Sequence, residues 1–140
     1  MIPAITGSLM EVDGKIKTTA LNLNSDFRLK EKISVLDNTS SMLKLLKPVS
    51  YYWNQKGKEK GGDNILQYGF IAQDVEQIAA NLVQTDADGY KSVNYIQIIP
   101  LLVKSYQESR AELEKEKEKN IQQEQRIKAL EEKINALLKK

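Results

Sequence analysis

The sequence has no cysteine and no histidine among its 140 residues. The first absence excludes disulfides, thiolate nucleophiles and zinc–sulfur sites, and it fits a reducing compartment. The second removes the most frequent general base and the most frequent metal ligand. Hydrolytic chemistry would have to draw on Ser, Thr, Lys, Asp, Glu or Tyr, which makes a serine–lysine pair the obvious nucleophile and base. No metal or other cofactor is expected. No apolar run approaches the roughly 18 residues that cross a membrane. The N-terminus lacks the charged-then-apolar pattern of a signal peptide, and the opening residues read as the end of an upstream segment. An excess of one charge is also missing. Lys and Arg number 21, Asp and Glu 19, and the two signs are interspersed. Neither nucleic acid nor a membrane surface is therefore an expected partner.

What is present is 41% apolar and 29% charged, enough for one modest core joined to something long and solvated. In residues 1–24, Leu9, Met10 and Val12 precede Asp13-Gly14, and Ile16, Leu21 and Leu23 follow it. That pattern predicts two short strands and a tight turn, too small to bury a face without partners. Asn38-Thr39-Ser40 offers caps for a short helix through Met42, Leu43, Leu45 and Leu46, which Pro48 ends. Val49 to Trp53 is aromatic and β-branched, a predicted strand. Gln55 to Asn64 holds no apolar residue and reads as a mobile surface loop. Ile65 to Ala72 is then a predicted strand. Gln73 to Leu82 is a predicted helix with Val75, Ile78, Ala79 and Leu82 on one face. Val83 to Thr85, the turn Asp86-Ala87-Asp88-Gly89, and Tyr90 to Val93 make a hairpin.

Beyond Asn94 the pattern is helical, with the start expected close to Pro100 because proline is tolerated in a first turn. Ile99, Tyr106, Leu113, Asn120, Ile127 and Ile134 occupy one seam position; Leu102, Ser109, Glu116, Gln123, Leu130 and Leu137 occupy the other. This is a seven-residue repeat with apolar ends and a polar middle. Glu112–Lys115, Glu114–Lys117 and Glu116–Lys119 are spaced for ion pairs, each worth about 0.2–0.5 kcal/mol. A single amphipathic helix folded back on the body is the simpler alternative. Polar seam residues such as Asn120 and Gln123 are easier to place in a symmetric bundle, where each meets its own copy. Ile alternating with Leu by itself favours two strands, so periodicity does not deliver a trimer.

Ser25 and Lys30 lie five apart in Ser25-Asp26-Phe27-Arg28-Leu29-Lys30, and on spacing alone a solvated pair is the usual explanation. The context is more specific. Ser25 to Ile33 is one block, followed by Leu46-Lys47-Pro48-Val49-Ser50-Tyr51-Tyr52-Trp53. Tyr68-Gly69-Phe70-Ile71-Ala72-Gln73-Asp74-Val75-Glu76 comes next, then Val93-Asn94-Tyr95 leading into Ile99-Pro100-Leu101-Leu102. These four ordered blocks, over about residues 25–110, resemble the endosialidase-type intramolecular chaperones, the peptidase S74 family. Glu31-Lys32-Ile33 departs from the commoner Glu-Asn-Ile, which reads as a surface change outside the dyad.

The resemblance implies a homotrimeric chaperone at the end of a phage tail spike or tail fibre. It would hold three parent chains in register while the upstream stalk folds, and then cut itself off. The implied cut is at Asn24–Ser25, with Ser25 as nucleophile and Lys30 as general base. Assembly would take place in the bacterial cytoplasm, with the parent protein in the virion tail. A lysine titrates near 10.4 in free solution, so a lysine base needs surroundings that favour the neutral amine. Phe27, Leu29 and Ile33 are the nearest apolar groups for that, and Arg28 turned inward would add like-charge pressure. Such surroundings are expected only once the trimer closes. Asp26 could orient Lys30 or cap a helix, and a cap is the commoner use of Asp. Gly69 and Gln73 are further supporting candidates, although close backbone approach and helix capping account for them equally well. Tyr51, Tyr52 and Trp53 read as core or subunit-contact aromatics.

The expected fold is α+β. Residues 1–24 are the end of a β stalk, 25–98 a small mixed body, and 99–140 a helix in a trimeric coiled coil. Two rival functions use the same residues: a trimerisation cap that never cuts, and a host-binding fibre tip with residues 55–64 as its binding loop.

Overall fold

The computed structural model describes residues 16–139. They form a mixed α/β chain with two small antiparallel sheets and a long C-terminal helix. The contacts divide it into two units, one of residues 16–34 and 48–71, the other of residues 35–47 and 72–139.

In the first unit, residues 16–24 form no strand and are exposed. The second strand expected there is absent from these residues. The Asp13-Gly14 turn and the first strand lie outside the described residues. A 3₁₀ turn follows at Phe27–Leu29. Strand β1 (Val49–Tyr51) pairs antiparallel with β2 (Gln67–Gly69), placing Val49 opposite Gly69 and Tyr51 opposite Gln67.

The segment between these strands is not the open loop expected from its composition, for it contains a short helix. Asn54 accepts a hydrogen bond from the Gly57 N–H at 3.0 Å and starts a helix at Gln55–Glu59. The chain then closes back through Gly62 N–H to the Gly57 carbonyl at 2.9 Å. Trp53, itself partly open to solvent, lies against both glycines of this wrap. A Cβ added at Gly57 would stand 2.6 Å from Trp53 Cε3, and one at Gly62 would stand 2.5 Å from Trp53 Cγ. Tyr51 meets the same indole edge-on at 5.2 Å. The apolar anchor of residues 55–64 therefore lies just outside the polar run, where composition did not reveal it.

The second unit holds the buried core. Helix α1 (Thr39–Leu43) is short, ending before Leu45 rather than running to Leu46. Asn38 does not cap it. Its backbone is left-handed at φ 54° and its side chain makes no cap bond. The Glu108 carboxylate caps instead, accepting from Ser40 N–H at 2.9 Å, Thr39 N–H at 3.4 Å and the Thr39 hydroxyl at 3.3 Å. With the Gln55–Glu59 helix numbered α2, the next helix is α3 (Ala72–Ile78), followed by a 3₁₀ turn at Ala80–Leu82. Among the described residues, Val75, Ala79, Leu82 and Ile98 are the buried apolar side chains, three of them on the predicted helix face.

Strands β3 (Val83–Thr85) and β4 (Lys91–Val93) form the predicted hairpin, with Val83 opposite Val93. Asp86 Oδ1 accepts from the N–H groups of Asp88 and Tyr90, and Gly89 closes the turn at φ 85°. Lys91 Nζ reaches Glu76 at 2.8 Å and Thr85 Oγ1 at 2.9 Å, tying the hairpin to α3.

Helix α4 runs from Tyr95 to Leu138 over 44 residues, about 66 Å at 1.5 Å per residue. It starts a turn earlier than expected, leaving Pro100 inside it. Asn94 caps the Gln97 N–H at 3.2 Å and Ile98 is buried in the first turn. Those two contacts offset the one backbone bond that Pro100 cannot make. Of the spaced ion pairs, Glu114–Lys117 is joined at 3.2 Å. Ile99, Leu102, Tyr106, Leu113, Ile127, Leu130, Ile134 and Leu137 are all exposed on the single chain.

Candidate functional site: the Ser25–Lys30 turn

Residues 25–30 are brought together by local structure. Asp26 is the cap of the 3₁₀ turn, with extended backbone and its side chain accepting from the Arg28 N–H at 2.9 Å. Within the turn, Leu29 N–H donates to the Asp26 carbonyl and Lys30 N–H to the Phe27 carbonyl, both at 3.1 Å. Five residues of extended chain would span about 17 Å, and the turn folds that reach back on itself. Lys30 Nζ consequently donates to Ser25 Oγ at 2.7 Å.

Arg28 does not turn toward Lys30. Its guanidinium grips Asp26 through both carboxylate oxygens, Nε to Oδ1 at 3.0 Å and Nη2 to Oδ2 at 2.7 Å. The Arg28 side chain and then its N–H hold the Asp26 carboxyl below its ordinary range. The same pair raises Arg28. The role of Arg28 as partner of Asp26 was the feature that sequence reasoning missed. Opposite charges two apart meet in a tight turn though not along an α-helix, and Asp before a turn was the available signal.

The apolar surroundings expected for Lys30 are not formed by one chain. Phe27 is 76% exposed, Leu29 70% and Ile33 59%. Asn24, on the other side of the candidate bond, is exposed and irregular. Gly69 lies in the β1–β2 ladder opposite Val49, and Gln73 in the first turn of α3. The structure thus joins Ser25 to Lys30 and Asp26 to Arg28 as two separate pairs.

Chemically, the Ser25–Lys30 contact is a short link between a primary alcohol and a primary amine. In this contact the Lys30 amine is the donor and the Ser25 hydroxyl oxygen the acceptor. Base catalysis needs the same contact reversed, with the hydroxyl donating to a neutral amine. Among the described residues no group of three carboxylates is arranged to hold a metal ion, and no helix is long and apolar enough to cross a membrane.

No curated protein matches the chain. The family model for the chaperone of endosialidase, Peptidase_S74, matches residues 25–84 and so begins at Ser25 itself. The segment that opens with the Ser25–Lys30 turn is thus similar to the endosialidase-type chaperone domain, and the match supports reading residues 25–84 as such a domain.

Proposed function

We propose that this chain trimerises, guides the folding of an upstream fibre or spike segment, and then releases itself by cutting the Asn24–Ser25 bond. The observation that carries the cleavage reading is the 2.7 Å contact between Lys30 Nζ and Ser25 Oγ at the start of the matched segment. Lys30 takes the hydroxyl proton as Ser25 Oγ attacks the Asn24 carbonyl carbon. The C–O bond forms, the Asn24–Ser25 C–N bond breaks, and the proton passes to the departing amine. Water then hydrolyses the ester, leaving an Asn24 carboxylate and restoring the Ser25 hydroxyl. Nucleophile and target belong to one chain, so the reaction is unimolecular, turns over once and needs no substrate pocket.

The chaperone reading draws on the family match and the exposed seam of α4. Few apolar side chains are buried among the described residues, and a row of large ones lies open along the helix. Three copies packed along that row would remove it from water. They could also supply the burial that Lys30 lacks, so that cutting follows assembly. The exposure of Phe27, Leu29 and Ile33 favours a second reading, a trimerisation cap that never cuts.

Mass spectrometry of the purified chain separates the two. Cleavage predicts a species beginning at Ser25 that disappears in Ser25→Ala and in Lys30→Ala. A full-length chain persisting in a well-formed trimer would establish the non-cutting cap. Light scattering tests the trimer independently, with a mass of one or two chains overturning it.

A further inference from the structure

The turn that joins Ser25 to Lys30 contains a carboxylate that ought to compete for the lysine. Asp26 is the neighbour of Ser25 in the chain, its Cα about 3.8 Å away. Lys30 has a flexible four-carbon stem and an ammonium that favours a carboxylate over a neutral hydroxyl. Yet Lys30 Nζ is on Ser25 Oγ. Asp26 is already occupied: Arg28 holds both of its oxygens, at 3.0 and 2.7 Å, while the Arg28 N–H takes a further bond at 2.9 Å. The other adjacent carboxylate, Glu31, is drawn to Lys32 at 4.0 Å. All of residues 16–36 are exposed.

We infer that Arg28 is a positioning residue, which by holding both oxygens of Asp26 closes the turn and leaves the Lys30 amine directed at Ser25. The inference rests on reading Ser25 and Lys30 as nucleophile and base, but the contact it explains can be observed without cleavage. A planar, bidentate guanidinium suits the task because it satisfies both oxygens at once, whereas a lysine at position 28 would hold only one.

The test uses the full chain in a Ser25-intact form, with labelled serine and lysine, read by nuclear Overhauser contacts between the side chains of residues 25, 26 and 30. In Arg28→Gln, Asp26 is freed, and the Lys30 contact is expected to move from Ser25 to Asp26. In the double variant Asp26→Asn/Arg28→Gln the competing charge is gone while Asn still caps the turn, so the Ser25–Lys30 contact is expected to return. A purely structural ion pair would not be rescued by removing its second charge. Cleavage should follow the same order, about tenfold slower in Arg28→Gln, as expected for a carboxylate stabilising the ammonium, and near the parent rate in the double variant. An Arg28→Gln chain that keeps the Ser25–Lys30 contact, or a double variant that lacks it, overturns the inference. Contacts that follow the expected pattern in a chain that never cuts would sink the cleavage reading and leave the positioning role standing.

Discussion

Two residues after Lys30, Lys32 holds a left-handed backbone at φ 52°. A β-carbon makes that conformation costly, by about 1–2 kcal/mol for most residues, whereas Asn tolerates it through local hydrogen bonding. The Asn that the family resemblance leads one to expect here would suit that backbone, so the lysine is more than a neutral surface change. Lys32→Asn is expected to raise stability by about 1 kcal/mol, read as a higher urea midpoint at fixed protein concentration. At Glu108 the sign of a pH effect can be worked out. The Ser40 N–H first, then the Ser40 hydroxyl and the Thr39 groups, hold its carboxyl below the usual glutamate range, and partial burial opposes them. A carboxyl lowered by folding stabilises the folded state above its unfolded value near 4.3 and loses that contribution as pH falls through the folded value. Hydrogen exchange at Thr39 and Ser40, referred to the intrinsic rate at each pH, is expected to show protection lost as pH falls below the ordinary glutamate range. In Glu108→Gln that acid-dependent loss should be absent.

Among the elements, α2 depends most on a single side chain. Its cap is Asn54, but its place is set by Trp53, which lies within contact distance of where side chains at Gly57 and Gly62 would begin. A β-carbon at Gly62 would also come to 2.8 Å from the Gly57 carbonyl oxygen. Neither backbone nor indole can yield that much without opening the wrap. Gly62→Ala is expected to cost about 1–3 kcal/mol, with a shift in Trp53 fluorescence and a lower denaturation midpoint. An unchanged midpoint would mean that the glycine is not required by the ring.

At the scale of the whole chain the governing fact is how little apolar surface the described residues bury. Val75, Ala79, Leu82 and Ile98 are covered, while the seam of α4 from Ile99 to Leu137 is open. Under the proposed trimer, stability should rise with protein concentration, because association stabilises the folded state by mass action. Replacing seam residues with charge, as in Ile127→Lys with Leu130→Lys, is expected to lower the mass seen by light scattering and to abolish the concentration dependence of melting. If the doubly substituted chain keeps its assembled mass, the seam is not the interface.

Much of the local structure was legible from the residues alone. The Asp86-to-Gly89 turn, the face of Val75, Ala79 and Leu82, and the length of α4 follow from side-chain period and turn chemistry, which act between near neighbours. The pairing of Ser25 with Lys30 was legible only as a spacing, since residues five apart are far from each other in a strand and close in a turn. What tertiary structure decided lies where the partner is remote or outside the window of composition. Glu108 caps a helix 69 residues earlier in the chain, taking the place of Asn38, whose left-handed backbone aims its side chain elsewhere. Trp53 packs against Gly57 and Gly62 beside the short helix that Asn54 caps, contacts that the composition of residues 55–64 does not reveal. The sequence determined which groups could meet, through residue type and period. The folded chain decided which of them do, because hydrogen bonds and close packing depend on distances that no spacing along the chain specifies.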